Sequence, residues 1–149
     1  MWNRFVPTLY LVAAVLTAQI AWGQGVVEKG GGDRRHRVVM HLNSGDEKVQ
    51  RGAVNNIRHL YQELGRDRLK LELGVHGAGL ALLTRKTTAL GQELAQLKTE
   101  YGVEYTACSN TMKAMKVTRD DLIDEVGDTV PAMVRLMERQ EQGWAYIKP

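Results

Sequence analysis

Three short apolar runs, separated by stretches with helical periodicity, constrain this chain more than any other feature. They are Arg37 to Leu42 (RVVMHL), Leu69 to Val75 (LKLELGV) and Val103 to Ala107 (VEYTA). The first reads as a buried strand, the second alternates as a strand does before a loop at His76 to Gly79, and the third is a strand ending at Cys108. Between the first two, Val49, Ala53, Ile57, Leu60, Tyr61 and Leu64 recur at spacings of three and four, which is one face of an amphipathic helix over Glu47 to Leu64. The turn Asn43-Ser44-Gly45-Asp46 precedes it, with Ser44 or Asp46 placed to cap it, and Gly65 ends it.

The same logic extends along the chain. Leu80 to Leu83 is one helical turn, and Leu90, Leu94, Leu97 and Tyr101 mark a helix over Thr88 to Tyr101. Ser109-Asn110-Thr111 caps a short helix running through Met115, and Thr118 to Asp121 begins another turn. Val126 to Val130 is a weak fourth strand. Pro131 suits the first turn of a helix reaching about Gln142, and Trp144 to Ile147 is a terminal strand. Strands alternating with helices predict an α/β fold: one domain, residues 37–149, with a mostly parallel sheet of about five strands and helices on both faces.

The N-terminus has a different character. Arg4 is the only charge before Glu28, an apolar run extends from Phe5 to Ala21, and Ala21-Trp22-Gly23 offers small residues to a signal peptidase. Residues 1–23 therefore read as a cleavable export signal, cut after Gly23, which predicts a periplasmic protein without membrane attachment once cleaved. An uncleaved anchor is the competing reading, since the run is close to the roughly 17 residues that span a bilayer. Residues 24–36 read as a flexible leader around Gly30-Gly31-Gly32.

Composition excludes several functions. A formal net charge of +3, with few aromatics and no basic stretch interleaved with them, gives no basis for nucleic-acid binding. One cysteine rules out an intrachain disulfide. Neither dinucleotide-binding nor P-loop spacing occurs, so no cofactor is expected.

Ligands of open parallel sheets bind beyond the C-terminal strand ends, and three reactive side chains fall there. His41 lies near the end of the first strand, His76 ends the second and Cys108 ends the third. Cys108 precedes a helix start, where backbone N–H groups favour the nucleophilic thiolate; the alternative is a small buried hydrophobe. His76 is a candidate base beside it, or a satisfied loop histidine, and His41 reads as structural. Asn43, Gly77, Gly79 and Asn110 are the binding candidates of the same edge. The residue types of His41, His76 and Cys108 suit a transition metal, but their separations match no motif, so no metal is expected. Met112, Met115, Met133 and Met137 read as core or subunit contacts rather than thioether ligands.

The stretches RVVMHLNSGD, LELGVHGAGLALL, GVEYTACSNTMKAMKVTRDDL and GWAYIKP together resemble the DsrE/DsrF-like family, most closely its small exported members, from about Arg37 to Pro149. The resemblance implies a flavodoxin-like sheet and assembly into homotrimers or homohexamers. It also implies a sulfur-relay role in which a cysteine after a central strand accepts sulfur as a persulfide, and Cys108 is the residue that matches. An exported member would need an exported sulfur donor or acceptor, such as sulfide, thiosulfate, polysulfide or a periplasmic protein. The alternatives are a non-catalytic oligomeric binding module and, further off, a metal-binding protein.

Overall fold

The structure, a computed structural model, describes Trp2 and residues 35–149. Apart from Trp2, the stretch read as an export signal lies outside the described residues, as does the leader up to its last two residues. β1 (His36–Leu42) starts one residue inside the stretch read as leader.

Asp46 caps α1 (Glu47–Leu64), its carboxylate accepting from the Lys48 and Val49 N–H groups. The buried face is Gln50, Ala53, Val54, Ile57 and Tyr61, so Val49 sits on the rim rather than in the core. Gln50 is tolerated inside because its amide donates to the Ser44 carbonyl at 3.1 Å. β2 (Leu69–Val75) follows, then a 3₁₀ segment over Gly77–Leu83. α2 (Gly91–Tyr101) begins three residues later than the periodicity predicts. Thr88 lies outside it, its hydroxyl accepting the Leu90 N–H, a local bond that competes with helix. β3 (Glu104–Cys108), α3 (Ser109–Met115), β4 (Val126–Val130), α4 (Ala132–Glu141) and β5 (Ala145–Ile147) complete the order.

All strand pairs are parallel, in the order β4-β3-β2-β1-β5. The domain is thus the flavodoxin-like α/β domain with a five-stranded parallel sheet that the alternation predicts. From β1 to β4 each strand adds on the same side of its predecessor, so right-handed crossovers put α1, α2 and α3 on one face. That face holds the main core: Val38, Met40, Leu71, Leu73 and Tyr105 from the strands meet Ile57, Leu94 and Met112 from the helices. Burying one such side chain contributes about 1.5–3 kcal/mol. The Tyr105 phenol donates to the Leu94 carbonyl at 2.9 Å, which ties α2 to β3. β5 joins at the opposite edge, so the crossover through α4 covers the other face. There the apolar cluster is only Val39, Leu136 and Trp144.

The loops after β1 and β2 are pressed together at the C-terminal edge. The Gly79 N–H donates to the Asn43 carbonyl at 3.2 Å. A Cβ on Gly79 would lie 2.9 Å from the Leu42 carbonyl oxygen and 3.1 Å from the Asn43 Cα. Gly79→Ala is therefore expected to lose about 1–3 kcal/mol of stability through overpacking. Gly52→Ala, in α1 with nothing within 4 Å of the new Cβ, is expected to gain up to ~1 kcal/mol. Urea denaturation of the two variants checks both signs.

Candidate functional site

β3 and β4 are neighbours whose following helices leave on opposite faces, and a crevice opens between such diverging connections. Cys108 is the last residue of β3 and sits in that crevice. Thr106 and Cys108 share the face covered by α4, while Tyr105 and Ala107 point into the main core. The thiol is buried, at 6% exposure.

Three backbone groups surround the sulfur. The Ala132 N–H, in the first turn of α4, donates to Cys108 Sγ at 3.4 Å. The N–H groups of Asn110 and Thr111, in the first turn of α3, and the Thr111 hydroxyl also favour the charged sulfur. Thr111 Oγ1 accepts the Gly77 N–H at 3.0 Å, which ties the loop after β2 to α3. Burial pushes the Cys108 thiol up, but these donors outweigh it and hold the thiol below its ordinary range. Cys108 itself occupies the N-cap position of α3, so the cap is not made by Ser109, Asn110 or Thr111 as the sequence reading expects.

The histidines are close by but partnered with each other. His41 Nε2 lies 2.6 Å from His76 Nε2, and His41 Nδ1 lies 2.6 Å from the Tyr146 hydroxyl. Their rings stack with centroids 4.7 Å apart. A bond between two Nε2 atoms requires one proton between them, so a neutral pair satisfies it. Burial, then His76 and Lys148, lowers the His41 pKa; burial, then Lys148, lowers that of His76. The β2–β3 register ends at Val75 opposite Ala107, which puts His76 and Cys108 on adjacent strands one position further on. Among the described residues His76 makes no hydrogen bond to Cys108.

The binding candidates are held by the fold itself. Asn43 and Gly79 bond each other, Gly77 bonds Thr111, and Asn110 is exposed with its N–H toward Cys108. Tyr146, Thr111 and Ala132 are site residues that sequence reasoning missed as side-chain or α4 contributors. Beside His41 and Tyr146 lies an open groove of about 450 Å³, walled by Met133, Leu136, Met137, Gln140 and Glu141. Among the described residues no group of three His, Cys, Asp or Glu side chains is arranged to hold a metal, and no helix is long and apolar enough to cross a membrane.

The fold is that of a small parallel α/β protein with its cysteine between two helix starts. The chain belongs to the DsrE/DsrF-like family, which matches residues 38–149. It is similar to a protein of unknown function from Methanobacterium thermoautotrophicum, with 30% identity, a TM-score of 0.71, and coverage of 76% of this chain and 99% of that one. The ychN protein from E. coli shares 17% identity at a TM-score of 0.57, covering 78% and 99% of the two chains. A conserved protein of unknown function from Bacteroides thetaiotaomicron shares 16% identity at a TM-score of 0.54, covering 76% and 94%. The last two show likeness of fold alone. No curated protein matches the chain.

The lowered histidine pKa values carry a stability consequence. The unfolded chain binds protons near pH 6.5, whereas folded His41 and His76 bind them only at lower pH, so protonation favours unfolding. The histidine contribution is expected to be flat above about pH 7.5 and to fall as pH drops through about 6.5, while the lowered Cys108 thiol adds a separate rise toward alkaline pH. Asp121 and Asp124, lowered from 3.8, titrate below this window. Urea midpoints between pH 5.5 and 7.5 check this: a His41→Gln/His76→Gln double variant should lose the slope. An equal slope in both proteins would show that other groups cause it.

Proposed function

We propose that this protein is a sulfur carrier of the sulfurtransferase type, exported by the signal in residues 1–23, with Cys108 as the acceptor. The observation that carries the reading is the place of Cys108 at the end of β3 and the start of α3, with the Ala132 N–H of α4 on its sulfur. Membership of a family with sulfur-relay members supports it. The Cys108 thiolate attacks the outer sulfur of a persulfide or polysulfide donor. A bond forms between Sγ and that sulfur, the donor's S–S bond breaks, and the electron pair departs on the donor's inner sulfur as a thiolate. Cys108 is left as a persulfide, with no net oxidant or reductant consumed. Release is the reverse attack by an acceptor thiolate, with Cys108 leaving. Because a low-pKa thiol leaves faster, the same donors that favour loading also favour discharge. Burial of the sulfur keeps its neighbourhood poor in water, and His76, on the adjacent strand, is the nearest imidazole by register.

A second reading, a non-catalytic assembly module, is favoured by the exposed Met133, Val134, Met137 and Tyr146 along α4 and β5. A trimer or hexamer built on that strip is compatible with either reading.

Intact mass spectrometry separates the two. Residues 24–149 are incubated with polysulfide, with Cys108→Ser in parallel. The carrier gains mass in steps of one sulfur atom, reversibly with a thiol reductant, and the serine variant gains none. No gain on a thiol shown to be free and reduced would leave the assembly module as the function.

A further inference from the structure

We infer that Glu72 is a positioning residue for Cys108, acting through α4. The inference rests on the reading of Cys108 as the reactive thiol. Glu72 lies in the middle of the central strand β2, at 1% exposure, on the face that α4 covers. A carboxylate there is strongly disfavoured unless it is paired and hydrogen-bonded. It is both. Thr106 Oγ1 donates to Oε1 at 2.6 Å, Arg139 Nε donates to Oε2 at 2.5 Å, and Arg135 Nε stands 3.6 Å from Oε1. Both arginines belong to α4. Arg135 also meets Asp128 of β4 at 2.5 Å, and Arg139 meets Glu104 of β3 at 3.7 Å and stacks over the Trp144 ring at 4.4 Å.

The ionic network adds to two other supports of α4: the small apolar seat at Leu136 and the β3–β4 ladder that leads into it, where Val130 lies opposite Cys108. The apolar contact of α4 is the cluster of Leu136 with Val39 and Trp144, against the large core beneath α1 and α2. Leu136 packs over Gly74, its Cδ2 at ordinary van der Waals distance, 3.5 Å, from where a Cβ there would sit. Arg135 is one turn from Ala132, whose N–H reaches Cys108 Sγ at 3.4 Å. A charge pair of fixed geometry on β2 therefore sets the height and rotation of the first turn of α4, and that turn sets a donor on the sulfur. The partners are 24 residues apart in sequence; the β3–β4 ladder brings β4 beside Cys108, and the ion pairs fix how α4 turns away from that point.

The direct field of Glu72 on the sulfur has the opposite sign. Glu72 pairs with Glu104, four residues before Cys108, which is about 13 Å along a strand at ~3.3 Å per residue. Removing its negative charge would by itself lower the thiol pKa slightly. Loss of the Ala132 N–H would raise it. The two accounts thus predict shifts in opposite directions.

The test is the pH profile of iodoacetamide alkylation of Cys108 in the full mature chain. The wild type is expected to show a midpoint below about 8.5, the value of a free thiol. Glu72→Gln, nearly isosteric, is expected to raise the midpoint by about one unit, a roughly tenfold loss of rate below it. Arg139→Lys keeps the charge but loses the planar guanidinium, and is expected to shift the midpoint the same way by less. Ile57→Val, in the core on the other face, is the control: it lowers the melting temperature and leaves the midpoint alone. A folded Glu72→Gln protein with an unchanged or lowered midpoint overturns the inference. If Glu72→Gln does not fold, an unchanged midpoint in Arg139→Lys overturns it. Polysulfide loading is read on the same samples. A raised midpoint in a protein that never loads sulfur supports the positioning role and sinks the carrier reading. Loading with no shift in Glu72→Gln does the reverse.

Discussion

After β4 the chain stands at one edge of the sheet, and its next strand pairs beside β1 at the other. A right-handed crossover in that direction has to pass over the face that α1, α2 and α3 leave open. Most of the molecule's chemistry follows from this crossing. It makes α3 and α4 diverge from adjacent strand ends, and a side chain at the end of β3 then lies between two helix starts. Cys108 occupies that point. Its sulfur receives donors from α3, which is local to it, and from α4, which is not.

The crossing also divides the sheet into two unlike faces. The α1 and α2 face is apolar and closed. The α4 face carries Glu72, Thr106, His41 and Cys108 along its strands, four residues that are each at least nine-tenths buried. A helix laid over such a surface gains little from apolar contact, so arginines at positions 135 and 139 meet the carboxylate instead. Replacing a buried ion pair by apolar groups is often neutral or stabilising. What the pair provides is a defined seat, because a directional, charge-assisted hydrogen bond has fewer equivalent placements than greasy contact. The thin apolar cover also leaves Met133 and Met137 exposed beside the groove at His41 and Tyr146.

Much of the fold was legible in the sequence because it depends on period and punctuation. The three apolar runs appear as β1, β2 and β3 within a residue, α1 has its expected ends, and the weak strand Val126–Val130 pairs with β3 as β4. The start of α2 was misplaced because a Thr88 side-chain bond outweighs the periodicity. The convergence of His41, His76 and Cys108 at one edge was also legible, since it needs only strand direction. Their pairing was not. His41 takes both Tyr146 and His76, and nothing in spacing says that β5 lies beside β1. Glu72 passed unremarked inside an alternating strand, and its arginines, 63 and 67 residues away in sequence, come to it only through the crossover.

Two opposed effects meet at the thiol, and their balance explains why the site needs both helices. Burial alone would keep Cys108 protonated and inert, the state of most buried cysteines. The N–H groups of α3 come with the local turn, and the chain cannot form that turn without them. The Ala132 N–H is different, because it comes from a second helix, which the β3–β4 ladder brings beside Cys108 and the Glu72 ion pairs hold there. The local donors therefore give the thiol a fixed bias, and the remote one gives it an adjustable one. Anything that moves α4 by a fraction of an ångström, a partner seated on its exposed methionines included, would act on the sulfur without touching it. In this fold the reactivity of the cysteine is a property of how the second face is covered.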